Sequence, residues 1–482
     1  MTVQATDEDI RERASIDRSM RFPVLFFFTS AAAWLFVATI LGFFSALKLR
    51  VPGLWEECQF LGYGRVFPMH MIALVYGWAL QAGIGVMLWL MARLTRRELK
   101  YGMGVVVIGH VWNALVAVAV ICIWSGFGRS IPLLDFPGWM APLFAMVYMA
   151  MVVWVIPMFK TRREASIYIS EYYLVGAALW FPWVFITAGI LISKEAAPTM
   201  AAGAGSWFVS NLIYFWMAPI ALAVAYYIVP KIADRPIYSY GWAKMGFWIL
   251  ALFAGWTGFQ RYYGGPYPAW IPAVSGAAVV FVLLAVVATI SNLAMTLRGK
   301  TKLWEISPSL RFTAMGMFFF AVYACLSAVS IIPMVQPALQ FSFFLSGLDV
   351  LAIYGFFSMT VFGAMYFIVP RITGCEWPSA ASIRNHFWYS TYGIITLIVC
   401  LLIAGLAQGG NLSRPNIPFS TSFMNSTCWV VGACIAWLLI AVSNLWFFYQ
   451  LALMFVGKGR KSEGPTLIHG GHDNAEGAAG TA

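Results

Sequence analysis

Apolar positions in this chain neither alternate nor keep to one face of a helix. They run on. Twelve largely apolar stretches follow one another, at about 23–48, 66–93, 103–125, 138–159, 173–194, 206–230, 242–262, 268–297, 310–334, 344–370, 388–407 and 424–456. About eighteen or more such residues, coiled at about 1.5 Å per residue, match the hydrocarbon thickness of a bilayer. The pattern predicts an all-α membrane protein of twelve transmembrane helices. It divides the chain into an N-terminal cytoplasmic tail over 1–22, a twelve-helix domain over 23–456, and a Gly-rich polar tail over 457–482 that reads as disordered. No connection is long enough for a second folded domain.

The charges fall between the runs. An even number of helices places both termini on one side. On that side lie 22 of the 30 Lys and Arg, among them Arg93, Arg96, Arg97, Arg162, Arg163, Lys231, Arg298, Arg311, Arg371 and Arg384. Seven lie opposite, and Lys244 sits just inside the seventh run. The positive-inside rule then puts both termini in the cytoplasm, in the inner membrane of a bacterium.

Composition agrees with the runs. Hydrophobic residues make up 61% of the chain and charged ones only 10%, against about a quarter in soluble domains. The net charge of +11 is a topology signal spread over short loops, which excludes a nucleic-acid partner and leaves the lipid bilayer as the surrounding medium. The seven cysteines show no CxxC or CxxCH spacing, so neither a zinc site nor covalent heme is expected. Cys58 falls on the outer side, and the others read as buried thiols within apolar runs.

One stretch echoes another. Tyr226-Tyr227-Ile228-Val229-Pro230-Lys231 closes the sixth run and Tyr366-Phe367-Ile368-Val369-Pro370-Arg371 closes the tenth. Two similar endings four helices apart suggest three four-helix units, with helices two, six and ten equivalent. The alternative is that an aromatic, a proline and a base simply make a common helix exit.

Gly64-Arg65-Val66-Phe67-Pro68-Met69-His70 opens the second run. It resembles the GRxxPxH entry of heme-copper oxidase subunit I, in the cbb-type oxidase and nitric oxide reductase branch. The endings of helices six and ten, through Tyr240 and Arg371 respectively, are similar to the same branch. The resemblance covers the twelve-helix core. It implies the subunit I arrangement of three four-helix units, a low-spin heme between histidines on helices two and ten, and a high-spin heme on a second helix-ten histidine. It further implies a metal held by one histidine on helix six and a pair on helix seven, with a helix-seven tyrosine assisting. The family activity would be cytochrome c oxidation with oxygen reduction, or nitric oxide reduction. Axial imidazoles set a heme's potential, and three imidazoles leave a second metal an open position. Residues i and i+2 on a helix point about 200° apart, so one helix can serve two hemes.

Carried over position by position, the resemblance places the helix-two ligand on His70. The helix-six ligand position falls on Ser210, the helix-seven pair on Gln260 and Arg261, and the tyrosine position on Ala254. The helix-ten positions fall on Leu348 and Val350, with Asp349 between them. The other histidines lie elsewhere: His469 and His472 in the tail, His386 in a cytoplasmic loop, His110 near the cytoplasmic start of helix three. Arg261 has no lone pair to offer a metal. A carboxylate at Asp349 is costly in an apolar helix without a partner. An ion pair of Arg261 with Asp349 is therefore one expectation; separate snorkelling of each to the interface is the other.

These residues leave three readings. The first is a subunit I-like membrane component of a respiratory complex, docked to other membrane or cytochrome c subunits, with a structural, assembly or regulatory role and no catalytic centre, metal or cofactor of its own. The second is a redox subunit that keeps heme b through His70 by unusual ligation, with Met69, Met71 or Met359 as weak sixth ligands. The third, a transporter on the reused scaffold, rests only on Arg261 and Asp349.

Overall fold

The computed structural model describes residues 7–193, 197–300 and 302–461. Among them, eleven helices are long and apolar enough to cross a membrane. We number the membrane helices in chain order, including a shorter one at the seventh place. They are α1 (Asp7–Arg50), α2 (Tyr63–Thr95), α3 (Gly102–Trp124), α4 (Met140–Lys160), α5 (Ile169–Leu191), α6 (Pro198–Ala233), α7 (Tyr240–Phe253), α8 (Trp270–Leu297), α9 (Pro308–Val329), α10 (Phe343–Thr373), α11 (Ala380–Leu412) and α12 (Thr427–Phe455).

The seventh helix departs from the expected 242–262. It stops at Phe253 and gives way to 3-10 turns at Ala254–Trp256 and Phe259–Tyr262. Gly258 lies between the turns at φ +117, and a Cβ there would sit 2.5 Å from the Trp207 Cα. The chain bends beneath α6 at a point only glycine can occupy. Fourteen residues of helix rise about 21 Å, short of the roughly 30 Å core, and the turns carry the chain onward.

The first helix also differs from expectation, because most of the predicted tail over 1–22 is helical from Asp7 onward. Acidic Asp7, Glu8 and Asp9 occupy its first turn, where the helix dipole favours them. Salt bridges then hold this end to the loops: Arg96 with Asp9 and Glu12, Arg163 with Glu12 at 2.5 Å, and Arg93 with Asp17 at 3.2 Å. At the other end, Arg460–Lys461 pair antiparallel with Cys375–Glu376, so the predicted tail over 457–482 begins with ordered backbone. The rest of that tail, with His469 and His472, lies outside the described residues. Of the cysteines, only Cys400 is buried; Cys325 and Cys428 are exposed on the bundle's flank.

Helices α2, α6 and α10 form the centre. Their most apolar windows are 94%, 94% and 100% buried, against half or less for the other eight long helices. Each central helix carries a π-helical segment, at Ala73–Ala79, Ile213–Met217 and Leu351–Ser358. Each ends on a left-handed residue, Arg96, Asp234 or Gly374, whose N–H bonds the carbonyl of Ala92, Pro230 or Pro370. At equivalent places about two turns before these ends, Trp89, Tyr227 and Phe367 meet edge to face, with centroids 5.7, 6.0 and 5.9 Å apart. Arg93 and Arg371 lie over two of these rings. A threefold repeat of four-helix units explains why three separate helices share a bulge, an aromatic, a base and a cap at matching positions.

Candidate functional site

His70 stands on α2 just before its π segment and is 2% exposed. Its Nδ1 lies 2.6 Å from the Ala38 carbonyl oxygen on α1. Since a carbonyl only accepts, Nδ1 carries the proton and Nε2 keeps its lone pair. The Trp437 ring meets the imidazole edge to face at 5.1 Å, and the Tyr354 ring lies parallel to it at 6.4 Å. A cavity of about 100 Å³ opens beside the imidazole, lined also by Tyr63, Asp349, Val350 and Trp437. Helices two and ten thus face each other across one space, with His70 on one wall and Val350 on the other.

Leu348 and Val350 differ in surroundings. Leu348 is buried at 3%, whereas Val350 borders the cavity. Asp349 between them receives Arg261: Nη2 donates to Oδ1 at 2.6 Å and Nη1 to Oδ2 at 3.3 Å. The two side chains are 15% and 22% exposed, so the contact is partly shielded from solvent.

The remaining residues form a hydrogen-bonded patch where α6 meets the turns after α7. Ser210 and Thr257 hydroxyls lie 2.9 Å apart. Thr257 Oγ1 donates back to the carbonyl of Ala254, which is fully buried. Gln260 Oε1 accepts from the Gly258 N–H at 2.5 Å and from the Ser275 hydroxyl at 2.7 Å, while Gln336 Nε2 donates to the Gln260 carbonyl at 2.5 Å. Asn211 Nδ2 donates to the Trp207 carbonyl at 2.8 Å. Among the described residues, no three His, Cys, Asp or Glu side chains gather into a group able to hold a metal.

Thr257, Ser275 and Gln336 escaped the sequence reading, as did Tyr354 and Trp437. Tyr354 alone left a trace, one helical turn beyond Val350. His386 requires a correction: it belongs to α11 and is fully buried, with Nδ1 2.8 Å from the Tyr366 hydroxyl, rather than lying in a loop. The loop placement failed because α11 begins eight residues earlier than the apolar run suggests.

The family described as "Cytochrome C and Quinol oxidase polypeptide I" matches residues 22–439. The chain belongs to this family. Among its relatives in the subunit I family, the Cbb3-type cytochrome c oxidase subunit CcoN1 of Stutzerimonas stutzeri is 24% identical over 384 residues, covering 78% of this chain and 81% of that one. A cytochrome c oxidase subunit 1 homolog of Bradyrhizobium diazoefficiens is 24% identical over 410 residues, covering 80% and 72%. A solved heme-copper terminal oxidase dimer superposes with a TM-score of 0.73 at 14% identity, covering 95% of this chain and 86% of that one. That similarity shows a common fold. Family membership therefore rests on most of the sequence, while the chemistry of this member rests on its own side chains.

Proposed function

We propose that this chain is a subunit I-like membrane component of a respiratory complex that has no oxygen-reducing centre of its own. Its role is structural, in assembly or in regulation, docked to other membrane or cytochrome c subunits, with both termini in the cytoplasm. The cbb-type branch is the nearest frame, supported by the helix-two entry and the endings of helices six and ten. The observation that carries the reading is the patch at Ser210, Gln260 and Arg261. In the cbb-type branch, that place holds imidazoles around a second metal. Here Gln260 Oε1 is engaged by Gly258 and Ser275, the Ser210 hydroxyl by Thr257, and Arg261 contributes a permanent cation committed to Asp349. This donor set does not fit copper or iron: a guanidinium offers no lone pair and repels a metal ion.

A second reading has one observation in its favour. The lone pair on His70 Nε2 and the cavity beside it would suit one axial bond to a heme, which would supply electron transfer when bound. Across the cavity Val350 offers no ligand atom. A transporter on the same scaffold gains nothing beyond the Arg261–Asp349 pair and ranks last.

Purification followed by an absorption spectrum and iron and copper analysis separates the first two readings. A preparation with no Soret band and no stoichiometric metal is expected. A Soret band with one iron per chain would favour the heme-retaining reading, and copper together with two hemes would overturn the first.

A further inference from the structure

On the face that carries the N-terminal end of α1, the first turns of α9 and α11 enclose a cavity of about 210 Å³. Glu305, Arg311, Phe312, Ala380, Arg384 and Phe387 line it. Arg311 is held in place: Nε donates to the Trp304 carbonyl at 3.1 Å, Nη2 to the Glu305 carbonyl at 2.5 Å, and the guanidinium lies 5.5 Å from the Phe387 ring centroid. Its Nη1 has no hydrogen-bond partner among the described residues. Arg384 is exposed and makes no hydrogen bond or ion pair among them.

Two guanidinium groups facing one space repel each other, and among the described residues the only carboxylate on the wall belongs to exposed Glu305. The wall therefore carries one net positive charge. The N-terminal ends of α9 and α11, capped by Ser307 and Ser379, add partial positive charge of the same sign. A second groove of about 360 Å³ meets the first at Glu305 and is largely apolar, lined by Leu297, Lys300, Trp304 and Leu310. One to two turns further along α11, the exposed rings of Trp388 and Tyr392 stack at 5.4 Å, as aromatic side chains do at the headgroup level.

We propose that the two grooves together hold one anionic phospholipid. Its phosphodiester sits between Arg311 and Arg384, and an acyl chain follows Leu297 and Leu310. Charge and shape together select this occupant: Arg311, Arg384 and Lys300 outweigh Glu305 across the two grooves and favour an anionic over a zwitterionic headgroup, whereas free phosphate has no use for the apolar groove. Basic pockets between membrane helices on the positively charged side take such headgroups.

The test uses the full chain, purified in mild detergent and stripped of lipid. It is offered phosphatidylglycerol, phosphatidylcholine or inorganic phosphate, and bound lipid is counted by native mass spectrometry. Wild type is expected to hold one phosphatidylglycerol. Arg384→Gln should weaken it about fivefold, and Arg311→Gln/Arg384→Gln about 25-fold, at about 1 kcal/mol per basic group. Arg384→Lys should restore most of the binding, and Lys160→Gln, remote on the same face, should match wild type. Because Arg384 is exposed, its replacement leaves folding intact, which a matching melting temperature would verify. Undiminished binding by Arg384→Gln and the double variant would overturn the proposal. So would equal retention of phosphatidylcholine, or displacement of the lipid by inorganic phosphate, which would make the ligand a free anion.

Discussion

Arg261 and Asp349 meet through two hydrogen bonds of 2.6 and 3.3 Å, tying the turn after α7 to the second turn of α10. A partly buried pair of this kind is mainly a liability when broken. Asp349→Ala leaves a permanent cation with nothing to neutralise it, and should cost about 3 kcal/mol. Arg261→Leu/Asp349→Leu removes both charges and should stay within about 1 kcal/mol of wild type. Thermal melting in detergent reads both. If the double variant loses as much as the single, the pair is not what the stability depends on.

The patch at Gln260 makes a second expectation. Gln260→His supplies one imidazole, yet Ser210 and Arg261 remain beside it. One nitrogen near a fixed cation cannot assemble the several ligands copper requires. Purified Gln260→His, incubated with excess copper and then desalted, should keep no stoichiometric metal. The variant should also melt lower, because the acceptor for the Gly258 N–H and Ser275 hydroxyl is displaced, a loss of about 1–3 kcal/mol. One tightly held copper per chain would defeat the donor-set argument.

The sequence made the helices legible because hydrophobicity along a spanning segment is a one-dimensional signal. What it hid depends on contacts distant in the chain. The α1 extension follows from Arg96 and Arg163 neutralising Asp9 and Glu12, which no local pattern records. The end of α7 follows from Gly258 passing under Trp207. The repeat showed in two endings but not the third, since Ala92 stands where Pro230 and Pro370 stand on the other central helices. At the site, the His70, Ser210, Gln260 and Val350 positions came from motif resemblance. Gln336, which bonds the Gln260 carbonyl from 76 residues away, had no signal to offer.

Close approach of α9 and α10 rests on a reciprocal pair of glycines. A Cβ at Gly316 would lie 2.1 Å from Thr360 Oγ1 and 2.8 Å from the Phe356 carbonyl oxygen. One at Gly363 would lie 2.4 Å from Thr313 Oγ1 and 2.8 Å from the Ser309 carbonyl oxygen. Small residues let membrane helices pack backbone to backbone, so either alanine must push the helices apart. Gly316→Ala and Gly363→Ala should each destabilise by about 1–3 kcal/mol. Gly189→Ala on α5, with nothing within 4 Å of the added carbon, should be neutral or slightly stabilising. Melting curves of the three variants would decide, and an unchanged Gly316→Ala would contradict the packing.

Asp135 gives the chain a pH dependence outside the membrane spans. It lies in the loop between α3 and α4, 5% exposed, among buried Leu133, Leu134 and Phe136. The Tyr76 hydroxyl anchors this loop by donating to the Leu133 carbonyl at 2.9 Å. Burial pushes the Asp135 carboxyl from its ordinary 3.8 up to about 7, only partly offset by the backbone N–H groups of Asp135 and Leu133. The folded loop therefore keeps the proton more tightly than the unfolded chain. Stability is greatest below pH 4, falls as pH rises from about 4 to about 7, and is level above that. The full span is at most about 4 kcal/mol, at about 1.4 kcal/mol per unit. Asp135→Asn stays neutral throughout, so it should melt higher than wild type at pH 8, and the gap should close by pH 4. A wild-type melting temperature that rises between pH 5 and 7, or an Asp135→Asn variant that tracks wild type over that interval, would show that this carboxyl does not control the loop.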